Sequence, residues 1–588
     1  MGQPHPSFSL PARDNAVSGI RTIRWHAYPA GLICYMLEPD ITHSRPVVLH
    51  TQTSRSGMLS APHFLAAQSG AAVLREGGNA VEAMVAAAAT IAVVYPHMNG
   101  IGGDGFWLIA EPGRAPVAIR ACGPSAALAT RAFYAAHGDA QIPTRGPRAA
   151  LTVAGAIGGW DAALVHAAQW SGDKKLPLSR LLRDAITCAR DGVAITRSQA
   201  TLTQSKWHEL ENVPGFAQTF APHRATTGMP KTGDLQVRPD LAATFKQLIH
   251  AGLDDFYRGD LARSIARDLE ALGSPLRLDD LSAYRATQVA PLSIELAVGK
   301  VFNHPPPTQG VSSLAILGIY ERLGVRDAES FAHIHGLIEA TKRAFRWRNS
   351  HVGDPDVMHA NAMARGAPTA AAFLAPESLA REAAQINMLD AAPWPEIAKP
   401  GDTIWMGAAD SSGRVVSYIQ SVFWEFGSGV VLNESGIQWQ NRGASFTLHD
   451  GPNALAPRRL PFHTLNPALA QLKDGRAIAY GTMGGEGQPQ TQSAIFSRHV
   501  LYGQDLQAAI SAPRWLLGKT WGEDSTTLKL ESRFPAELVE QLRIAGHVVQ
   551  MLGEYEDTMG HAGAVSLHAD GLMEGATDPR SDGECCAC

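Results

Sequence analysis

Asp402-Thr403-Ile404-Trp405-Met406-Gly407-Ala408-Ala409-Asp410 marks an abrupt change of character in this 588-residue chain. Before it, from 150 to about 350, apolar residues recur at helical spacing, as over 178–190, 261–272, 314–323 and 331–347. After it come short strand-like runs parted by Gly and Ser turns, at 403–409, 415–420, 429–432, 477–482, 528–530 and 564–568. One helical signal returns at 535–545. Far upstream, 64–95 reads as two buried Ala-rich helices joined at Gly77-Gly78-Asn79, followed by strands at 106–110 and 116–120. Strands on both sides of a helical middle predict an α/β (α+β) protein of stacked sheets covered by helices.

Thr403 is also the chemically suggestive residue of that stretch. A Thr hydroxyl is a poor nucleophile near neutral pH, because it is almost never ionised. It becomes effective when it opens a chain, so that its own α-amine, titrating at about 7.7–8.0, takes the proton. Such a residue belongs at the exposed end of a strand, and 403–410 has that pattern. A second feature is Gly484-Gly485, after the strand at 477–482. Consecutive glycines there can aim two backbone N–H groups at one developing oxyanion.

Composition excludes several other classes. Lys and Arg number 50 against 55 Asp and Glu, a net charge of −5, with no basic stripe to grip a nucleic acid. Apolar residues make up 45% of the chain, too many for a disordered one. Cys34, Cys122, Cys188, Cys585, Cys586 and Cys588 form neither a zinc-type pairing nor a disulfide framework, so a reducing compartment is expected. The Cys-Cys-Ala-Cys end reads as a frayed tail. The start lacks a secretory pattern, and the apolar run at 31–37 is too short to cross a bilayer; a cytoplasmic, non-membrane protein is the expectation. Gly100-Ile-Gly102-Gly-Asp-Gly105 formally fits a dinucleotide fingerprint, but it leads into a strand rather than a helix and reads as a tight turn. His333 and His335 fall on different helix faces, one expected in the core and one at the surface. Neither a metal nor a cofactor is expected. Residues 1–56 read as an appendage, and Ala- and Pro-rich 351–400 as a mobile or processed linker.

Taken together and in order, these runs resemble the γ-glutamyltransferase family of N-terminal-nucleophile hydrolases. The resemblance spans 57–583 and rests on Gly77–Ala83, Pro96–Phe106, Pro305-Pro-Pro-Thr-Gln-Gly310, Thr403–Asp410, Phe426–Gly429, Pro461–Leu465, Gly484-Gly485 and Glu574–Gly583. It implies a four-layer αββα sandwich and a precursor that cuts itself between Asp402 and Thr403. The products would be a large chain ending at 402 and a small chain, 403–588, associated as a heterodimer that can pair further. It also implies roles: Thr403 as nucleophile, Gly484 and Gly485 as the oxyanion hole, and Ser421 as the hydroxyl supporting the nucleophile. Arg120 would grip the substrate carboxylate, touched also by His463 and Thr464.

The chain departs from the glutathione-cleaving pattern where family members hold an α-ammonium group with Asn, Gln and Asp. Here those positions carry Phe423, Arg442 and Ser445. A cationic Arg repels an ammonium, so the expected substrate has a carboxylate, no α-amino group and little bulk beside Phe423. Glu425 and Glu486 lie near enough in sequence to supply a replacement negative charge, which would undo that reading. Within the family, the runs Gln440–Gly443, Gly487–Gln492 and Arg514–Gly522 are most similar to the oxamate amidohydrolase branch of purine catabolism. A γ-glutamyltransferase, a glutaryl or cephalosporin acylase and an inactive relative serving as a binding protein are the other readings.

Overall fold

The computed structural model describes residues 49–171, 175–396, 401–518 and 525–588. Cys34, most of the 1–56 appendage and residues 519–522 of the quoted Arg514–Gly522 run lie outside the described residues.

Alternation along the 402–410 strand decides the layering. Ile404, Met406 and Ala408 belong to one core, while Trp405 and Ala409 belong to another. A strand apolar on both faces must be covered on both. Asp402–Asp410 sits within a seven-stranded sheet of order Glu584–Ala587, Gly57–Ala61, Asp402–Asp410, Val415–Phe423, Asp104–Ala110, Val117–Ala121, Thr287–Val289. A second sheet runs Gln52–Ser54, Met573–Thr577, Ala562–Leu567, Ala477–Thr482, Ala468–Leu472, Gly299–Asn303, Leu292–Leu296. Trp405, Phe106, Leu108 and Ile419 of the first sheet meet Phe302, Leu469, Ala479 and Val565 of the second in a core between the sheets.

Outside the first sheet lie the Ala-rich helices Phe64–Arg75 and Ala80–Val94, the latter wholly buried and opened by a capping box between Asn79 and Glu82. Outside the second lie Gly310–Arg322, Phe331–His351 and Gln488–Phe496. The result is the expected αββα sandwich. Both sheets take strands from before and after residue 402.

Antiparallel pairing brings Ser421 opposite Asp104, and Arg120 opposite Phe106. The same end of four adjacent strands thus carries residues around 402–403, 421–423, 104 and 120. Pairing between Asp402–Asp410 and Val415–Phe423 is irregular between Asp402 and Ile404, and Thr403 has no ladder partner there.

Four local expectations need correction. The Cys-rich end is strand Glu584–Ala587, paired to Gly57–Ala61. Cys585 is buried with its Sγ 3.3 Å from Met58 Sδ, and Cys588 Sγ points to the Ala71 carbonyl at 3.3 Å. Alternating small, polarisable side chains suit an edge strand packed on one side by a helix. The supposed linker holds helices Pro355–Arg365, Ala370–Phe373 and Pro376–Ala383. Pro355 and Pro376 occupy first-turn positions, where a missing N–H does no harm. Phe373 stacks on Trp347 at 4.5 Å, anchoring the segment; residues 397–400 lie outside the described residues. The run 429–432 is a turn rather than a strand, with one isolated bridge from Val431 to Gln438. Finally, His333 and His335 are both fully buried, because opposite faces of Phe331–His351 are each covered. His333 bonds Ser497 at 2.9 Å, and His335 bonds His547 at 2.9 Å.

Candidate active site

Thr403 is enclosed, with no exposed surface, and the chain is continuous across Asp402–Thr403. The Thr403 hydroxyl donates to the Asp402 carbonyl oxygen. Ser421 Oγ donates to that same oxygen at 2.5 Å, and Thr403 N–H to Asp402 Oδ1 at 2.7 Å. From the first residue of helix Gln488–Phe496, Gln488 Nε2 lies 3.5 Å from Thr403 Oγ. Two hydroxyls, of Thr403 and Ser421, therefore both donate to the Asp402 carbonyl oxygen.

The glycine turn follows strand Ala477–Thr482. Gly484 and Gly485 take φ of 115° and 51°, which a side chain would oppose. Closeness matters as much as conformation. A Cβ on Gly401 would lie 3.1 Å from Gly485 Cα, 3.4 Å from Phe423 Cε2 and 3.5 Å from Thr464 Oγ1. Gly401 thus fills the gap between the glycine turn, Phe423 and Thr464. Phe423 itself is held at φ 86°, a strained conformation for a bulky residue, fixed in part by its N–H donating to Ser421 Oγ at 2.7 Å.

Behind that gap stands Arg442. Its guanidinium carbon lies 3.8 Å from the Phe423 ring centroid, and Nη1 donates to Thr464 Oγ1 at 3.4 Å. Arg442 is 1% exposed, yet Nε and Nη2 have no partner. Burial pulls its pKa down to about 9, still protonated at neutral pH. Asp104 is the residue that sequence reading missed. It sits within the 100–105 glycine run, and its Oδ2, without a hydrogen-bond partner, lies 3.7 Å from His463 Nε2. Burial raises the Asp104 carboxyl to about 7, while Arg442 pulls it the other way. Burial first, then Arg442, keeps His463 neutral. A buried cation with unused donors thus stands near a neutral His463 and a carboxyl, Asp104, that titrates close to neutral pH, and its free N–H groups can accept an anion.

Other expected residues fall elsewhere. Ser445 donates to the Phe462 carbonyl at 3.1 Å. Arg120 stands two strands from Ser421, lining a cavity of about 280 Å³ with Cys122, Ser125, Tyr284, Arg285 and Arg458; no bond joins it to Arg442 or Thr464. Glu486 is engaged by Arg348 at 2.8 Å, and Glu425 faces Arg145 at 3.6 Å and Lys206 at 4.0 Å. Neither acid is a spare charge for a substrate ammonium. Arg348 also bonds Gln309, whose amide holds the Thr464 and Gly485 carbonyls at 2.7 and 2.8 Å. That brace, which sequence reading also missed, ties the glycine turn to Thr464.

Among the described residues, His335, Glu339 and His547 gather donor atoms within 4.8 Å of one another. Lys342 Nζ already sits 2.6 Å from Glu339 Oε1, and the two rings bond each other, so the set forms a closed polar network.

The sequence profile described as Gamma-glutamyltranspeptidase matches residues 66–588. The chain belongs to that family. This γ-glutamyltranspeptidase-family chain is 51% identical over 534 residues to "Oxamate amidohydrolase proenzyme" of Klebsiella pneumoniae subsp. pneumoniae, covering 91% of this chain and 98% of that one. It is 37% identical over 530 residues to "Glutathione hydrolase-like YwrD proenzyme" of Bacillus subtilis, covering 90% and 97%. The solved cephalosporin acylase from Bacillus halodurans superposes with a TM-score of 0.83 at 30% identity, over 94% of this chain and 99% of that one. Family membership carries with it the N-terminal-nucleophile hydrolase fold and an amide-hydrolysing enzyme. None of its described helices is long and apolar enough to cross a membrane.

Proposed function

We propose that the chain is the precursor of an N-terminal-threonine amidohydrolase. It cuts itself between Asp402 and Thr403 and then hydrolyses the amide of a small carboxylate that lacks an α-ammonium group, oxamate foremost. The observation that carries this reading is the Arg442 guanidinium, buried and short of partners, stacked on Phe423 beside Thr464. Two free N–H donors suit one carboxylate in the forked manner. The bulk of Phe423 beside Arg442 favours a short acid over a long acyl chain. The name borne by the 51%-identical relative points to the same substrate.

In the mature enzyme, Thr403 Oγ attacks the amide carbonyl while its freed α-amine takes the hydroxyl proton. Backbone N–H groups of the 484–485 turn face the oxyanion, and the amine returns the proton to the leaving ammonia. Water then opens the acyl ester by the reverse path. Arg442 and Thr464 hold the carboxylate throughout, with Arg120 placed for any part of the substrate reaching its cavity.

The test is product release by purified, matured protein. Ammonia from oxamate, with no glutamate from glutathione, is the expected result. Glutamate release alone would replace this reading with γ-glutamyl transfer, and an intact, inert chain with the binding-protein reading.

A further inference from the structure

The self-cleavage proposed above moves one proton. The Thr403 hydroxyl loses it, and the Thr403 nitrogen, leaving as an amine, must gain it. The nearest titratable group to that nitrogen is the side chain of the residue being cut away. Thr403 N–H donates to Asp402 Oδ1 at 2.7 Å, which holds the carboxyl against the nitrogen and leaves Oδ2 as the oxygen that can carry the proton. Oδ2 is buried without a hydrogen-bond partner, and the residue is 1% exposed. An unpaired buried carboxylate is costly, whereas a carboxylic acid is tolerable there.

We propose that the Asp402 side chain is the acid of self-cleavage, giving its proton to the departing Thr403 nitrogen. The steps balance. Thr403 Oγ forms a bond to the Asp402 carbonyl carbon, its oxygen held by Ser421, and the C–N bond breaks. Nitrogen takes the carboxyl proton and becomes a neutral amine. The proton shed by the hydroxyl restores the carboxyl, and water later hydrolyses the ester to free both ends. The acid therefore ends as the last residue of the large chain.

The surroundings keep this carboxyl protonated. Burial comes first among the causes that raise its pKa, followed by Glu425 from the loop after Val415–Phe423; the hydrogen bond from Thr403 N–H works against them, Asp557 adds to the rise, and Lys206, after helix Arg197–Ser205, opposes it. Tyr95, following Ala80–Val94, faces the same charge. The acid form is needed, so the rate of cutting falls as pH rises through that raised value.

This proposal rests on the self-cleavage reading, and the experiment separates the two. Freshly purified uncut precursor is incubated from pH 5 to 9, and conversion to the 402- and 186-residue fragments is followed on denaturing gels. Wild type is expected to cut more slowly as pH rises. Asp402→Asn, which keeps the shape but has no proton to give, is expected to cut about 100-fold more slowly and without that pH dependence. Asp402→Glu is expected to recover part of the rate with the falling limb displaced. A wild-type chain that never cuts overturns the self-cleavage reading and this role with it. Overturning this role alone would be Asp402→Asn cutting at the wild-type rate, or a wild-type rate that climbs with pH. Should the Asn chain fail to give a native melting transition, the wild-type and Glu pH profiles still decide.

Discussion

The proposed function concentrates substrate choice at Arg442, whose chemistry fixes what replacing it should do. Removing a guanidinium that makes charge-assisted bonds to a carboxylate costs about 1.5–3 kcal/mol, which is about 10- to 150-fold in kcat/KM. Arg442→Ala is therefore expected to lose that much activity on oxamate, measured as ammonia release. Arg442→Lys should restore only part of it, because a point charge cannot reproduce the fork or the stacking on Phe423. Unchanged turnover in Arg442→Ala would remove Arg442 from the substrate site. Much of this was legible in the sequence, since a cation standing where relatives place ammonium-binding groups is a difference of residue type. The partners of Arg442 were not legible. Asp104 hides inside a glycine run that reads as a turn, and it meets His463 only because two sheets face each other. Arg348 and Gln309 brace the glycine turn across nearly 180 residues of chain, with no local pattern to announce it.

Strands and helices were mostly readable wherever a period ran unbroken, as in the two Ala-rich helices and the strands at 403–410 and 415–420. Readings failed where composition stood in for pattern. Proline-rich 351–400 looked like a linker because Pro breaks helices in their interior, yet it begins them readily. Position at the chain end alone suggests a frayed tail for the terminal cysteines, although four residues suffice to cover an edge. That edge strand gives a prediction. Deleting residues 584–588 uncovers Gly57–Ala61, the immediate neighbour of the 402–410 strand. Losing its ladder bonds, at about 1 kcal/mol each, and the burial of Cys585 should lower the melting temperature by several degrees and promote aggregation through the bare edge. An unchanged melt measured by calorimetry would mean that the strand contributes nothing to the fold.

At the scale of the molecule, buried neutral histidines set an acid limit. Burial draws His63, His304 and His547 down to about 3 and His333 to about 4, whereas an unfolded chain titrates them near 6.5. Between those values the unfolded state binds more protons, so the stability these groups contribute is whole above pH 6.5 and is lost as pH falls toward 3. Each contributes a slope of about 1.4 kcal/mol per pH unit there. The melting temperature should hold from pH 8 to 7 and drop steeply from 6 to 4; a flat profile would show that those rings are solvated. Because both sheets draw strands from either side of residue 402, the two fragments should also travel as one particle on native mass spectrometry and part only in denaturant. Finally, the irregular pairing at 402–404 leaves Thr403 outside the cross-strand ladder. The proposed break there would sever a covalent bond without unzipping its neighbours, so the scar of the proposed maturation would fall on a seam the sheet had already left unstitched, and a Thr403→Ala chain should melt within a degree or two of a matured one.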